Sequence, residues 1–423
     1  MVGNPALCVS PPYDQFDPAM IKRLEAQSPY NVARLVKARP DWQPDLTGEH
    51  YRRAAALMNE WITGGALVPD EGPGFYPYSQ SYTVGSDRLT RWGFIALGDL
   101  RDAGVHTHEE THSHVREDRC RLRLATAADF GLIFLIYSDP AQAVDRLLRD
   151  CESGEPIFVA EQPDGSIHRL YSCRDLVRGD RVIKHMAAFD CVIADGHHRA
   201  AAAFDSWRTT QDESWAYAAM AFFNADAPGM TVLPIHRAVA RDRTWRFENF
   251  LERLSDDFEV LELPAAGLSP RQVVAHLENQ VQHQQHAERV AFGMIGPDPN
   301  RAFLVEAPVP LPHRWPWPAN SHPSWRGLAT AIFETGVLRS VLGYSDGQID
   351  AGTGMEFTKD AAALIDWVRT ERYQLGFLLP ATSLASILEV ARLGQNLPRK
   401  STFFFPKLLT GLTIHRMEPV SSM

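Results

Sequence analysis

No run of apolar residues in this chain approaches the ~20 that a membrane-spanning helix needs. The longest, such as Gly131-Leu132-Ile133-Phe134-Leu135-Ile136-Tyr137, has the length of a buried strand. The first residues carry no charged segment followed by an apolar one, so a secretory signal is not expected. Cysteine is scarce, five in 423 residues: Cys8, Cys120, Cys151, Cys173 and Cys191, scattered and without a Cys-x-x-Cys pair. That spacing argues against a disulfide framework and a thiolate zinc site, and fits a reducing cytoplasm. Basic runs are missing as well, and the formal net charge is −10. Nucleic acid is bound by neutralising phosphates with Lys and Arg, so it is not the expected partner. No unit of about twenty to fifty residues recurs, which excludes solenoids and propellers. A small-molecule partner is the expectation, and nothing here fixes an oligomeric state.

What the chain has is an ordinary globular balance, 45% apolar and 22% charged. Its length suits two or three domains at roughly 100–200 residues each. Tyr51, Ala54, Ala55, Met58 and Ile62 predict a helix over 45–63, stopped by Gly64-Gly65. Tyr76–Val84 and Leu89–Leu97 read as a hairpin, and Ile157–Tyr171 as a second one turning at Pro163-Asp164-Gly165-Ser166. A helix near 181–188, a strand 189–194, a helix 199–207 and strands near 216–223 and 231–235 follow. Beyond Arg237, helices near 245–254 and 269–282 alternate with strands near 258–261 and 289–295. The stretch 308–325 is dense in proline and tryptophan. It is expected to be irregular, with its indoles packed on something. The predicted class is α+β, mixed sheets with flanking helices. A catalytic lobe over 1–240 precedes a second α/β lobe over 241–423, which ends in Lys400-Ser401-Thr402-Phe403-Phe404-Phe405-Pro406-Lys407.

The sharpest local signal is Asp195-Gly196-His197-His198-Arg199. The apolar strand Cys191-Val192-Ile193-Ala194 runs into it, and an alanine-rich helix leaves it. Such a junction presents unpaired N–H groups and the positive helix end to one point, where phosphates bind readily. Gly196 lets the backbone approach a ligand, and Arg199 adds a fork suited to phosphate oxygens. Asp195 has three readings: helix cap, Mg²⁺ ligand or proton acceptor. Cations at a helix start oppose the dipole, and that placement calls for an anion.

Upstream, His106, His108, His112 and His114 surround Glu109 and Glu110. These residues read as a His/carboxylate metal site, as a general base, or as a polar loop. His236-Arg237 at a strand end, and Lys400 and Lys407 around an aromatic strand, are further candidates for contact with a ligand.

Taken in order, Pro11-Pro12-Tyr13-Asp14, Ser28-Pro29-Tyr30-Asn31, His108-Glu109-Glu110-Thr111 with Asp118-Arg119, Asp195-Gly196-His197-His198-Arg199, Leu233-Pro234-Ile235-His236-Arg237 and the closing Lys400–Lys407 motif resemble the bacterial and archaeal family DUF1015 over nearly the whole chain. The family names no activity. The turn itself resembles the phosphate-binding turn of the ParB–sulfiredoxin superfamily, and most of all its free-serine kinases. That resemblance implies a ParB/sulfiredoxin-like core around the strand–turn–helix unit. It implies that Gly196, His197, His198 and Arg199 hold the phosphates of ATP or ADP, with Mg²⁺ on Asp195. Glu109 or Glu110 would take the proton of a hydroxyl acceptor such as free serine. The stretch between the glutamates and the turn is longer here than in the compact kinases, and holds an extra hairpin.

The resulting expectation is a cytoplasmic, nucleotide-dependent small-molecule kinase. Glu109, Glu110 and Asp195 are catalytic, and Arg119, His236, Arg237, Lys400 and Lys407 are substrate-binding. The competing readings are a phosphatase of the same phosphorylated metabolite, a His/Glu metalloenzyme, and a non-catalytic nucleotide or metabolite sensor.

Overall fold

The computed structural model describes residues 4–37, 44–149, 151, 154–240, 245–286 and 289–417. Chain contacts divide it into two compact units: Met1–Thr231 with Pro406–Met423, and Val232–Phe405. Each unit is built of helices around mixed or antiparallel sheets, so the class is α+β as expected.

The first unit centres on eight strands: β1 (Tyr76–Val84), β2 (Asp87–Asp99), β3 (Val105–His106), β4 (Ile133–Tyr137), β5 (Phe158–Glu161), β6 (Ile167–Leu170), β7 (Cys191–Asp195) and β8 (Tyr217–Asn224). Their order is β3-β7-β4-β8-β2-β1-β6-β5. The β3–β7 and β4–β8 pairings are parallel. Both expected hairpins form. In the first, Val84 pairs with Asp87 and Gly85 makes the reversal at φ 59°. Strand β4 is buried at every position, which is why its sequence runs apolar without alternating. Each such side chain contributes on the order of 1.5–3 kcal/mol through burial.

Three helices matter for the site. Helix α1 (Glu49–Thr63) buries Tyr51, Ala54, Met58 and Trp61, close to the predicted stripe. Helix α2 (Ser113–Thr126) was not foreseen. Its inward positions are Asp118, Arg119, Leu122, Arg123 and Thr126, so charged residues occupy a face where periodicity looks for apolar ones. Helix α3 (His197–Thr210) leaves the turn after β7.

The chain from Pro406 returns to this unit, which corrects the expectation that 241–423 forms one lobe. Ser10 bridges Thr410, and His415–Arg416 pairs with Ala128–Asp129. Cys151 and Cys173 are joined in a disulfide with Cα atoms 5.4 Å apart, contrary to the reading from spacing. Cys8, Cys120 and Cys191 are free thiols.

The second unit carries a six-stranded sheet in the order Glu259–Pro264, Arg301–Glu306, Ala291–Ile295, Leu375–Leu378, His236–Val239, Met355–Thr358, with antiparallel pairings. The proline- and tryptophan-rich stretch ends in a short helix, Pro323–Arg326. Its Trp315 is buried against Phe258 at 5.0 Å between ring centres, so the indoles do pack. Among the described residues no helix is long and apolar enough to cross a membrane.

Candidate active site

The turn between β7 and α3 is organised around Asp195. Gly196 caps α3 at φ 93°, and no side chain caps the helix, so Asp195 is not the N-cap. Its Oδ2 accepts from Arg199 Nη2 at 2.7 Å, and its Oδ1 accepts from Lys407 Nζ at 2.5 Å. Burial alone pushes this carboxyl up. Lys407 and then Arg199 outweigh burial and hold it well below the usual carboxylate range. A Cβ at position 196 would meet Nε and Nη2 of Arg199 at 2.8 Å, so close packing of the guanidinium requires glycine. Asp195 is therefore the anion that the cation-bearing helix start demands, and the charge placement does not by itself call for a ligand. Two cations nevertheless face one carboxylate, and Arg199 Nε is buried with no hydrogen-bond partner among the described residues.

Two features of this cluster escaped sequence reasoning. Asp14, from the opening Pro-Pro-Tyr-Asp segment, has an accessible side chain closely surrounded by protein. Its carboxyl is pushed up by that surrounding and then by the charge of Asp195. The second is a buried polar chain behind Lys407. Arg91 donates to Gln80 Oε1 at 2.7 Å and to the Pro406 carbonyl, and Gln80 donates to the Lys407 carbonyl at 3.0 Å. His168 Nδ1 lies 2.5 Å from the Tyr78 hydroxyl and 3.3 Å from Gln80 Nε2. These side chains fix the backbone that carries Lys407. The available signal was polar residues at buried positions of strands, Gln80 and Arg91 above all.

On another side of the same turn the histidine–glutamate stretch arrives. The His108 N–H points at His197 Nε2, 3.5 Å away, so the proton of a neutral His197 belongs on Nδ1. Nδ1 lies 3.6 Å from Glu109 Oε2. The two rings meet edge-on at 4.6 Å. Burial lowers His108 to about 4; burial and then His108 lower His197, so both are neutral near pH 7. His198 stacks on His112, and His112 on His114, each at 5.7 Å. Both glutamates are exposed, and Glu109 meets the turn through His197. Among the described residues no group of three His, Cys, Asp or Glu side chains is placed to hold a metal ion. Asp195 does not fit the predicted Mg²⁺ either, because both its oxygens are taken by cations.

The remaining candidates divide. Lys407 belongs to the cluster. Arg119 is buried with its fork on Asp118 and the Val36 carbonyl and its guanidinium 4.4 Å from the Tyr13 ring centre, so it is committed rather than offered to a carboxylate. His236, Arg237 and Lys400 belong to the second unit. There Arg237 is buried, lowered by burial to about 9, and donates to the Ile235 and Lys400 carbonyls. His236 is also buried and lowered by burial to about 4. Arg237 is thus an internal support of that unit.

Among solved structures, the chain is similar to a mutant free serine kinase in complex with AMP at 11% identity and a TM-score of 0.39, over 77% of this chain and 92% of that one. It is similar to the unmutated free serine kinase with AMP at 12% and 0.37, with the same coverages. A conserved hypothetical protein from Pyrococcus furiosus is similar at 14% and 0.36, over 77% and 97%. No curated protein matches the sequence. The family model described as "Protein of unknown function (DUF1015)" matches residues 4–330, and the chain belongs to that family.

Proposed function

We propose that this protein is a cytoplasmic phosphotransferase that moves the terminal phosphoryl group of ATP or ADP to the hydroxyl of a small metabolite. The observation that carries the reading is the arrangement around one helix start. Arg199 and Lys407 both stand at Asp195 beside the start of the helix, while Glu109 reaches the same turn through His197. Phosphoryl transfer asks for this combination, positioning plus charge neutralisation with a carboxylate to take a proton.

In the proposed reaction the phosphates lie against the main-chain N–H groups of Gly196, His197 and His198, with the guanidinium of Arg199 and the ammonium of Lys407 on their oxygens. Glu109 accepts the hydroxyl proton of the acceptor, whose oxygen bonds to the terminal phosphorus. The bond from that phosphorus to the bridging oxygen breaks, and the electron pair leaves on ADP or AMP. The growing negative charge is met by Arg199 and Lys407. Neutral His197, whose Nδ1 faces Glu109 Oε2 at 3.6 Å, orients Glu109. No step is assigned to Mg²⁺, because Asp195 serves as counter-ion to the two cations.

The test is calorimetric titration of ATP and ADP into wild type and Arg199→Ala. Loss of one charge-assisted contact is expected to weaken binding by about ten- to a hundredfold. Equal affinity in the two proteins, or no binding to wild type, contradicts the reading.

A further inference from the structure

A cavity of about 570 Å³ runs along one flank of α3 in the first unit, where His197, Ala201, Phe204 and Asp205 line it. Neither Asp195, Arg199 nor Lys407 belongs to its wall. The proposed base Glu109 does, so a molecule held here presents its reacting group to that carboxylate.

Size and wall chemistry then limit the occupant. The volume falls in the range of sites for drug-sized ligands, about 300–1,000 Å³, far more than the few atoms of free serine fill. The inner wall is apolar, with Ile133 and Ile193 from the sheet and Met220 beside them. The charged part of the wall is lopsided. Five carboxylates line it, those of Asp99, Asp102, Glu109, Glu110 and Asp205. Only two guanidiniums do, and Arg116 is held by Asp205, 2.5 Å from Nη2 to Oδ1. Asp99 is matched by Arg101 at 2.7 Å. Asp102 and Glu110 add further negative charge to the wall, where Arg208 is the other guanidinium. Such a wall repels phosphate and carboxylate and attracts an ammonium group.

We infer that this cavity takes the phosphoryl acceptor, and that the acceptor is a hydroxylated amine with an apolar body rather than an anion or a molecule as small as serine. The assignment of acceptor rests on the reading of Glu109 as base. The ligand class rests on the cavity alone.

Four probes separate the possibilities by direct titration: phenylalaninol, its uncharged analogue phenylpropanol, the anion phenyllactate, and serine. Phenylalaninol is expected to bind wild type at least about tenfold more tightly than phenyllactate or serine. Ala201→Trp, which fills the cavity, is expected to abolish that binding and leave ATP affinity unchanged. Asp102→Asn, an exposed substitution that does not endanger the fold, is expected to weaken phenylalaninol about three- to tenfold and leave phenylpropanol alone. Equal or tighter binding of phenyllactate or serine overturns the inference. So does loss of ATP binding in folded Ala201→Trp, which would put the nucleoside in the cavity, and so does failure of every probe to bind. If phenylalaninol binds in the cavity but wild type binds no nucleotide, the phosphotransferase reading fails while the ligand class stands.

Discussion

Lys407 Nζ lies 2.5 Å from Asp195 Oδ1, a contact that joins residues 212 positions apart. The other oxygen of Asp195 is held by Arg199 four residues on, so one largely buried carboxylate organises two cations from distant parts of the chain. In such a cluster the desolvation of each charge is offset only while its partners remain. Lys407→Met is therefore expected to cost about 1–3 kcal/mol, as is Asp195→Asn, which leaves two cations facing each other. The double variant should lose less than the sum of the singles by at least about 1 kcal/mol. Urea unfolding of all four proteins measures the coupling. Strictly additive losses would mean the contact contributes nothing.

Gly196 carries a separate prediction. At φ 93° a side chain costs on the order of 1–2 kcal/mol, and at this residue the added methyl also strikes the Arg199 guanidinium. Gly196→Ala should lose about 2–4 kcal/mol and weaken nucleotide binding by more than about tenfold, since Arg199 must leave Asp195 to make room. Gly65 offers the control: its φ is 73° and a Cβ there meets nothing within 4 Å. Gly65→Ala should pay only the backbone cost. Equal losses at the two positions would remove the steric argument.

How far the sequence could be read follows from the kind of signal each element left. Turn chemistry revealed both hairpins, although β1 and β2 also bury Gln80 and Arg91, and an unbroken apolar run revealed β4. Helix α2 was hidden because Asp118, Arg119 and Arg123 stand on its buried face, and their pairing with one another and with Asp129 exists only in three dimensions. The turn at 195–199 was legible, since a strand, a glycine and a helix start in succession is local information. The partnership of Asp195 was not: Lys407 reaches it after the chain has passed through the second unit, and no local pattern encodes that return. Lys407 stood among the candidates only as one of two lysines around an aromatic strand. Asp14 lay inside a quoted motif, yet nothing nearby in sequence tied it to residue 195.

The buried histidines predict a dependence on mild acid. Burial takes the folded-state value of His108 from 6.5 to about 4. Above pH 6.5 the ring is neutral in both states and stability does not depend on it. As pH falls from 6.5 toward 4 the unfolded chain takes up a proton that the folded one refuses, so stability declines by up to about 3 kcal/mol and levels off below 4. Asp195 acts lower. Its folded value is depressed, so its contribution is present above the ordinary carboxylate range and is lost as pH falls through and below it. Unfolding midpoints between pH 7 and pH 4 for wild type and His108→Asn check the first limb. The variant should show a shallower decline, and identical profiles would exclude His108 as its source.

The choice between the two glutamates is the sharpest test of the proposed chemistry. Glu109 Oε2 lies 3.6 Å from His197 Nδ1, the nitrogen left protonated because the backbone N–H of His108 points at Nε2. That ring is itself locked by burial and by its edge-on contact with His108. A base must be held within reach of the proton it takes, and of the two carboxylates only Glu109 is brought to the turn in this way. Glu109→Gln keeps the shape and removes the proton acceptor. It should reduce turnover by about a hundred- to ten-thousandfold while nucleotide affinity stays within a few-fold of wild type. Glu110→Gln should act on acceptor binding instead, raising KM by less than about tenfold with little change in kcat. His197→Gln supplies the third arm: a lower kcat with nucleotide affinity unchanged is expected, because the orientation of Glu109 depends on that ring. Full turnover in Glu109→Gln alongside a dead Glu110→Gln would reverse the assignment and detach His197 from the chemistry.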